Sequence, residues 1–268
     1  MFKVRPSAVL VVLIFLGLIG FNLLSFQNQK KQSADCKISQ HVSPLSQFAF
    51  NDTSVLPPKV AQTPRVKAAI VILARNSDID GLKKTIPQLE ARFNSRYEYP
   101  YVFLNDVPFN ERFKKEMRSL SGSKMSFGTI PHEHWSFPNW INQTRAAEVR
   151  EDMRRRNIIY GDSLPYRHMC RFNSGFFFRH PLLDGYDYYW RVEPWVEFYC
   201  DMYYDPFLYM KEKEIDYGFT IMLPEYIETI PTLWQTVKQF MKEHPDVVHP
   251  KNMMRIFDDG SEQYNLCH

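Results

Sequence analysis

The spacing of apolar and polar positions changes several times along this chain, and each change predicts an element. Ala8 to Phe26 is a run of 19 residues without a charge, about the length a helix needs to cross a bilayer. It exceeds the roughly 7–15 apolar residues of a cleaved signal peptide, and no small-x-small site follows it, so a transmembrane signal anchor is expected. From Gln27 to about Gln62 the chain becomes polar and rich in Ser, Gln and Pro, with no sustained periodicity, which predicts a stem. Lys67 to Ala74 is a short continuous apolar run of the kind expected for a strand buried on both faces. Leu82, Ile86, Leu89 and Phe93 then recur at helical spacing, with Asp80 as the expected cap, and Tyr101 to Leu104 supplies the next strand. A second amphipathic stretch, Asn110 to Leu120, leads into Lys124 to Ile130. This alternation predicts an α/β domain with a mainly parallel central sheet. Beyond it, Asn142 to Asn157 reads as a polar helix whose Arg154, Arg155 and Arg156 suit the negative end of its dipole. Ser163 to Phe178 reads as a largely buried helix, and Tyr188 to Val192 as a further strand ending at Glu193-Pro194.

Composition supports one main folded body. The 268 residues include 44% hydrophobic and 15% aromatic positions, enough material for a packed core. The net charge of +3, from 33 basic and 30 acidic residues, gives no basis for a nucleic-acid partner, and none is expected. The expected organisation is a cytoplasmic tail over 1–7, the anchor over 8–26, a lumenal stem over 27–62 and a folded body over 63–268. Lys3 and Arg5 before the span and Lys30 and Lys31 after it bias orientation only slightly, and a seven-residue tail is the simpler part to leave in the cytoplasm. The sequons Asn51-Asp52-Thr53 and Asn142-Gln143-Thr144 are compatible with a lumenal body. Cys36, Cys170, Cys200 and Cys267 allow three pairings, and none has the close spacing of a zinc or redox site.

The densest chemistry lies in Tyr188 to Met210, where an apolar strand runs directly into Glu193, Glu197, Asp201 and Asp205. Carboxylates beyond the carboxyl end of a core strand can hold a divalent cation at the place where α/β sheets gather ligands. They can equally solvate a loop, and residue chemistry leaves both readings open. His132 and His134 form an HxH pair, but Pro131 before it and Trp135 after it favour a packed loop over a metal site.

At this point the sequence resembles the fungal α-1,2-mannosyltransferases of the Kre2/Mnt1/Ktr type, glycosyltransferase family 15. The segments that carry the resemblance are AAIVILARNSD (68–78), IPHEHWSFPNWI (130–141), YRHMCRFNSGFFFRHP (166–181), YYWRVEPWVEFYCDMYYDPF (188–207), YGFTIMLPEYIETIPTLW (217–234) and YNLCH (264–268). Together they span nearly all of the chain after the stem. The resemblance implies a GT-A-like nucleotide-sugar-binding fold, Golgi membrane residence as a single-pass type II protein, GDP-mannose as donor and Mn²⁺ as cofactor. It also implies retaining transfer onto mannose residues of N- or O-linked glycans on glycoproteins. Under the same resemblance Glu193 is the metal ligand, Tyr166 the active-site tyrosine, and Arg75 and Arg171 are donor contacts. Glu225 and Glu228 are candidates for the acceptor hydroxyls or for favouring the helix N-terminus near Thr232, and Asp201 for ordering the metal loop.

Two departures follow from the same comparison. Trp195 stands where smaller or polar residues are common in the family. The family pattern also continues past NLCH with an FWSNFE-like stretch, whose Glu is the proposed nucleophile or base, and with a later His that completes the metal site. The chain ends at His268, so the catalytic domain is expected to be incomplete and little activity is expected of it. A catalytically inactive lumenal binding or scaffold protein is the alternative.

Overall fold

The computed structural model describes residues 2–3, 65–221, 226–250, 252 and 254. The expected anchor and stem lie outside the described residues. No helix among those described is long and apolar enough to cross a membrane. The described residues fall into two compact units: 2–3, 65–140 and 167–219 form the first, and 141–166, 220–221, 226–250, 252 and 254 form the second.

The first unit is built on a sheet of β1 (Phe2–Lys3), β2 (Ala68–Leu73), β3 (Tyr101–Asn105), β4 (Met125–Thr129) and β5 (Tyr188–Arg191), in the order β1-β5-β2-β3-β4. The four longer strands are parallel, with Ile70 opposite Tyr101 and Trp190, and β1 pairs antiparallel with β5 over two residues. The expected α/β sheet is therefore present. Its strands read as unbroken apolar runs because both faces are covered. On one face Ile70, Ile72, Tyr101 and Phe103 pack with Leu82, Ile86 and Leu89 of α1 (Ile79–Leu89) and with Phe93. Phe113 and Met117 of α3 (Glu111–Arg118) join the same core. On the other face Ala69, Val71, Val102, Leu104 and Tyr189 meet Phe172, Phe177 and Leu183.

Local chemistry sets the helix boundaries. Asn110 caps α3 by accepting from the Phe113 N–H at 2.8 Å, which satisfies an amide that has no partner inside the helix. The cap of α1 lies two residues earlier than expected: Asp78 occupies the N-cap position, and its carboxylate accepts from the Arg75 N–H at 2.7 Å rather than from a helix amide. α1 then widens into a π turn over Glu90–Asn94 and closes with the short α2 (Ser95–Tyr97). Asn94 is fully buried there, with its side chain bonded to both the N–H and the carbonyl of Tyr99.

In the second unit α4 (Gln143–Arg155) is the expected polar helix, capped by Asn142 through the Arg145 N–H. α5 (Leu164–Gly175), which from Arg167 onward belongs to the first unit, is less buried than its sequence suggests. Only Phe172 and Asn173 are buried within it, because Arg167, His168 and Arg171 carry polar ends that stay partly in solvent.

Back in the first unit, α6 (Pro206–Glu212) starts at Asp205, which accepts from Phe207 N–H at 2.9 Å and from the hydroxyl of buried Tyr99 at 2.6 Å. Replacing Asp205 by Ala removes the cap, worth about 1 kcal/mol, and strands a buried hydroxyl, worth about 1–3 kcal/mol. Urea unfolding of the Asp205→Ala variant is expected to show a loss of about 2–4 kcal/mol, and an unchanged midpoint would refute this role.

Candidate functional site

β5 leads into a turn that governs the site. The Val196 N–H donates to the Glu193 carbonyl at 3.4 Å, Pro194 holds the second position, and Trp195 holds the third at φ 70°. Proline followed by positive φ makes this a type II turn, whose third position ordinarily takes Gly or Asn. A tryptophan there carries a backbone cost on the order of 1–2 kcal/mol.

The segment that follows is laid along α1 and its continuation. The Thr85 hydroxyl donates to the Val196 carbonyl at 2.9 Å, and the Phe198 N–H donates to the Gln88 side chain at 3.0 Å. The Met202 N–H reaches the Arg92 carbonyl at 3.0 Å, while the Arg96 guanidinium donates to the Met202 carbonyl at 2.7 Å. Gly81 receives the Trp195 indole, and the Lys84 ammonium sits 4.6 Å from that ring's centroid. Positions 81, 85, 88, 92 and 96 are three or four apart and share one helix face.

This arrangement sorts the four acids of the loop. Glu197 accepts from the Tyr199 hydroxyl at 2.6 Å, and Asp201 pairs with Arg92 at 3.3 Å and accepts from Tyr203 at 3.0 Å. Asp205 caps α6. Glu193 differs: its side chain is 13% exposed, and its Oε1 lies 3.2 Å from the Arg191 Nε without being aligned for a hydrogen bond. Burial pushes its carboxyl up to about 7, against the pull of Arg191 and with added repulsion from Asp78. Arg191 is only 4% exposed, and its Nη1 and Nη2 have no hydrogen-bond partner. Buried ionisable groups in native proteins are normally satisfied, and this pair leaves three polar atoms, two on Arg191 and one on Glu193, without a hydrogen-bond partner.

Hard divalent cations of the magnesium type commonly use one or two carboxylates together with phosphate oxygens. The unpartnered Glu193 oxygen, with Asp78 as a second negative charge within electrostatic reach, fits such a shared site. The two guanidinium nitrogens of Arg191 fit phosphate oxygens. Among the described residues no three His, Cys, Asp or Glu side chains form a closed protein cage for a metal.

The other expected site residues are dispersed. Arg75 is exposed; its backbone, not its side chain, contributes, by holding the Asp78 carboxylate. Arg171 donates to the Glu133 carbonyl at 2.9 Å and stacks 4.6 Å from the Phe176 ring centroid. His134 stacks on the same Phe176 at 4.4 Å. Tyr166, in the second unit, stacks on Tyr160 with centroids 4.7 Å apart. Glu228, also in the second unit, pairs with Arg156 at 2.6 Å rather than with the start of α7 (Leu233–Glu243). Glu225 lies outside the described residues. Arg191 was not among the candidates, although a charge inside the strand run YYWRV was a legible signal.

The model of the glycolipid 2-alpha-mannosyltransferase family matches residues 24–268. The chain belongs to this family. Alpha-1,2 mannosyltransferase KTR1 of Saccharomyces cerevisiae is 51% identical over 206 residues, which cover 76% of this chain and 52% of that protein. Glycolipid 2-alpha-mannosyltransferase 1 of Candida albicans is 51% identical over 214 residues, covering 80% and 50%. This member of the family therefore spans about half the length of the curated relatives it matches. Among solved structures, core-mannan synthase A of Aspergillus fumigatus in its Mn/GDP form superposes with a TM-score of 0.73 at 39% identity, covering 81% of this chain and 61% of that one. The mannosyltransferase Ktr4p of S. cerevisiae in complex with GDP gives 0.70 at 35%, covering 79% and 56%. The GT-A-like α/β fold expected from the sequence is thus the family's fold.

A folded-state pKa raised above its unfolded value stabilises at low pH, and that stability is lost as pH rises through the folded value. For Glu193 the window runs from 4.5 to about 7, a loss on the order of 3 kcal/mol at 1.36 kcal/mol per unit. Without added cation, the wild type is expected to lose stability relative to Glu193→Gln over this range. Burial lowers the His180 pKa and acts in the opposite sense, but it does so in both proteins and cancels in the difference. Parallel pH curves for the two proteins would rule out a buried, strained Glu193.

Proposed function

We propose that this chain carries the donor site of a retaining α-1,2-mannosyltransferase that takes mannose from GDP-mannose and transfers it to mannose residues on glycoproteins. The observation that carries the reading is the unsatisfied Arg191–Glu193 pair at the carboxyl end of β5, in a chain 39% identical to a protein solved with Mn and GDP. Glu193 would hold the divalent cation, and Arg191 would meet the diphosphate. When bound, such a cation supplies charge neutralisation to a departing nucleoside diphosphate. Arg191 adds fixed donors in a site that largely excludes water, where they need no reorganisation as charge develops.

The same reading places the protein in the Golgi membrane as a single-pass type II protein, with residues 8–26 as anchor and 27–62 as stem. A tail across the bilayer and the β1–β5 pairing exclude each other. Two residues of strand pairing are worth about 1–3 kcal/mol, whereas apolar side chains at the centre of a spanning helix each favour insertion by roughly 0.3–0.6 kcal/mol. Summed over the 14 Leu, Ile, Val and Phe of that run, insertion prevails and β1 is released.

Thermal melting of the lumenal portion tests the donor reading. GDP with Mn²⁺ is expected to raise the Tm by several degrees, as ligands that bind only the native state must, and Glu193→Ala is expected to abolish the Mn²⁺-dependent part. No shift with either ligand would overturn the reading.

A further inference from the structure

We propose that Gly81, Lys84 and Trp195 form a lock that positions the Glu193 carboxylate, so that Trp195 is a positioning residue for the acid two places before it. This inference rests on the donor-site reading above, and it assigns a role to residues outside the ligand-contacting set.

Trp195 is 58% exposed and holds a left-handed backbone that favours glycine. Neither burial nor intrinsic preference explains it. What holds it is the docking of its indole. A Cβ added at Gly81 would come within 2.7 Å of the indole Nε1 and 2.9 Å of two of its carbons, so the ring lies directly on the glycine. Lys84, three residues along α1, places its ammonium 4.6 Å from the ring centroid, in the range of a cation–π contact.

The consequence for Glu193 follows from where the chain is anchored. Upstream, the Val192 N–H is fixed to the Val71 carbonyl at 3.0 Å. Downstream, the Val196 carbonyl is fixed to the Thr85 hydroxyl at 2.9 Å. The slack between these anchors is confined to Glu193, Pro194 and Trp195. Proline has a fixed φ, so a relaxation of Trp195 toward negative φ is shared between ψ of Pro194 and the backbone of Glu193, whose carbonyl closes the turn. The indole on Gly81, 114 residues from Trp195 in sequence, thereby pins to α1 the turn that begins at Glu193.

The experiment compares wild type, Gly81→Ala, Trp195→Gly and the double variant. Two readouts are used: affinity for Mn²⁺ in the presence of GDP by calorimetry, and hydrogen-exchange protection of the 193–198 segment. Gly81→Ala is expected to displace the indole, weaken Mn²⁺ binding about tenfold or more and strip protection from the segment. In the double variant the clashing ring is gone and glycine accepts the left-handed backbone. Both readouts are therefore expected to return to within about threefold of Trp195→Gly alone, a non-additivity expected of contacting residues. Additive losses, or Gly81→Ala retaining wild-type affinity and protection, would overturn the lock. Lowered Tm with unchanged Mn²⁺ affinity would show a purely structural contact and overturn it equally. Wild type that binds neither Mn²⁺ nor GDP would sink the donor-site reading, while the exchange pattern of the variants would still decide the lock.

Discussion

A parallel sheet covered on both faces has little room for charge within its strands, because a buried ionisable group must be paired, hydrogen-bonded or neutralised. Arg191 and Glu193 stand against this constraint, and the rest of the site is arranged around them. The aromatic and aliphatic packing on either side of β2, β3 and β5 excludes water. That exclusion makes the mismatch of the pair costly and raises the affinity of the Glu193 carboxyl for a proton. The same exclusion strengthens any electrostatic contact made there. The neighbouring acids escape the constraint by facing outward or by capping: Glu197 and Asp201 answer tyrosine hydroxyls, and Asp205 answers Tyr99 and the start of α6. An acid cluster that looks uniform in sequence is divided by burial into one unsatisfied group and three structural ones.

The strands were legible because burial on both faces leaves an unmistakable trace in Lys67 to Ala74 and Tyr101 to Leu104. α1 and α3 were legible from their period. The end of α1 was not, since Pro87 and the π turn after Leu89 leave no signature that distinguishes them from an ordinary helix end. Asp80 looked like a cap because it precedes the first periodic leucine, yet Asp78 holds that position and is tied back to Arg75. Glu193 was readable from its place after a strand and from the family pattern. Arg191 is marked only by the single charge inside YYWRV, and a strand with one charge in it still reads as a strand. The Gly81–Trp195 contact could not be read at all: it joins residues far apart in the chain, and a positive φ at tryptophan has no counterpart in the letters.

The π turn at Glu90–Asn94 bears on this site in another way. A π turn inserts an extra residue into a helix, and at about 100° per residue that insertion sets the phase between what comes before and after it. Gly81, Thr85 and Gln88 lie ahead of the turn, and Arg92 and Arg96 lie within or beyond it, yet all five serve one strip of surface. A single-residue deletion in this region would leave α1 a better helix by ordinary criteria. It would also rotate the two arginines by about 100°, away from Met202 and Asp201, and split that strip between two faces.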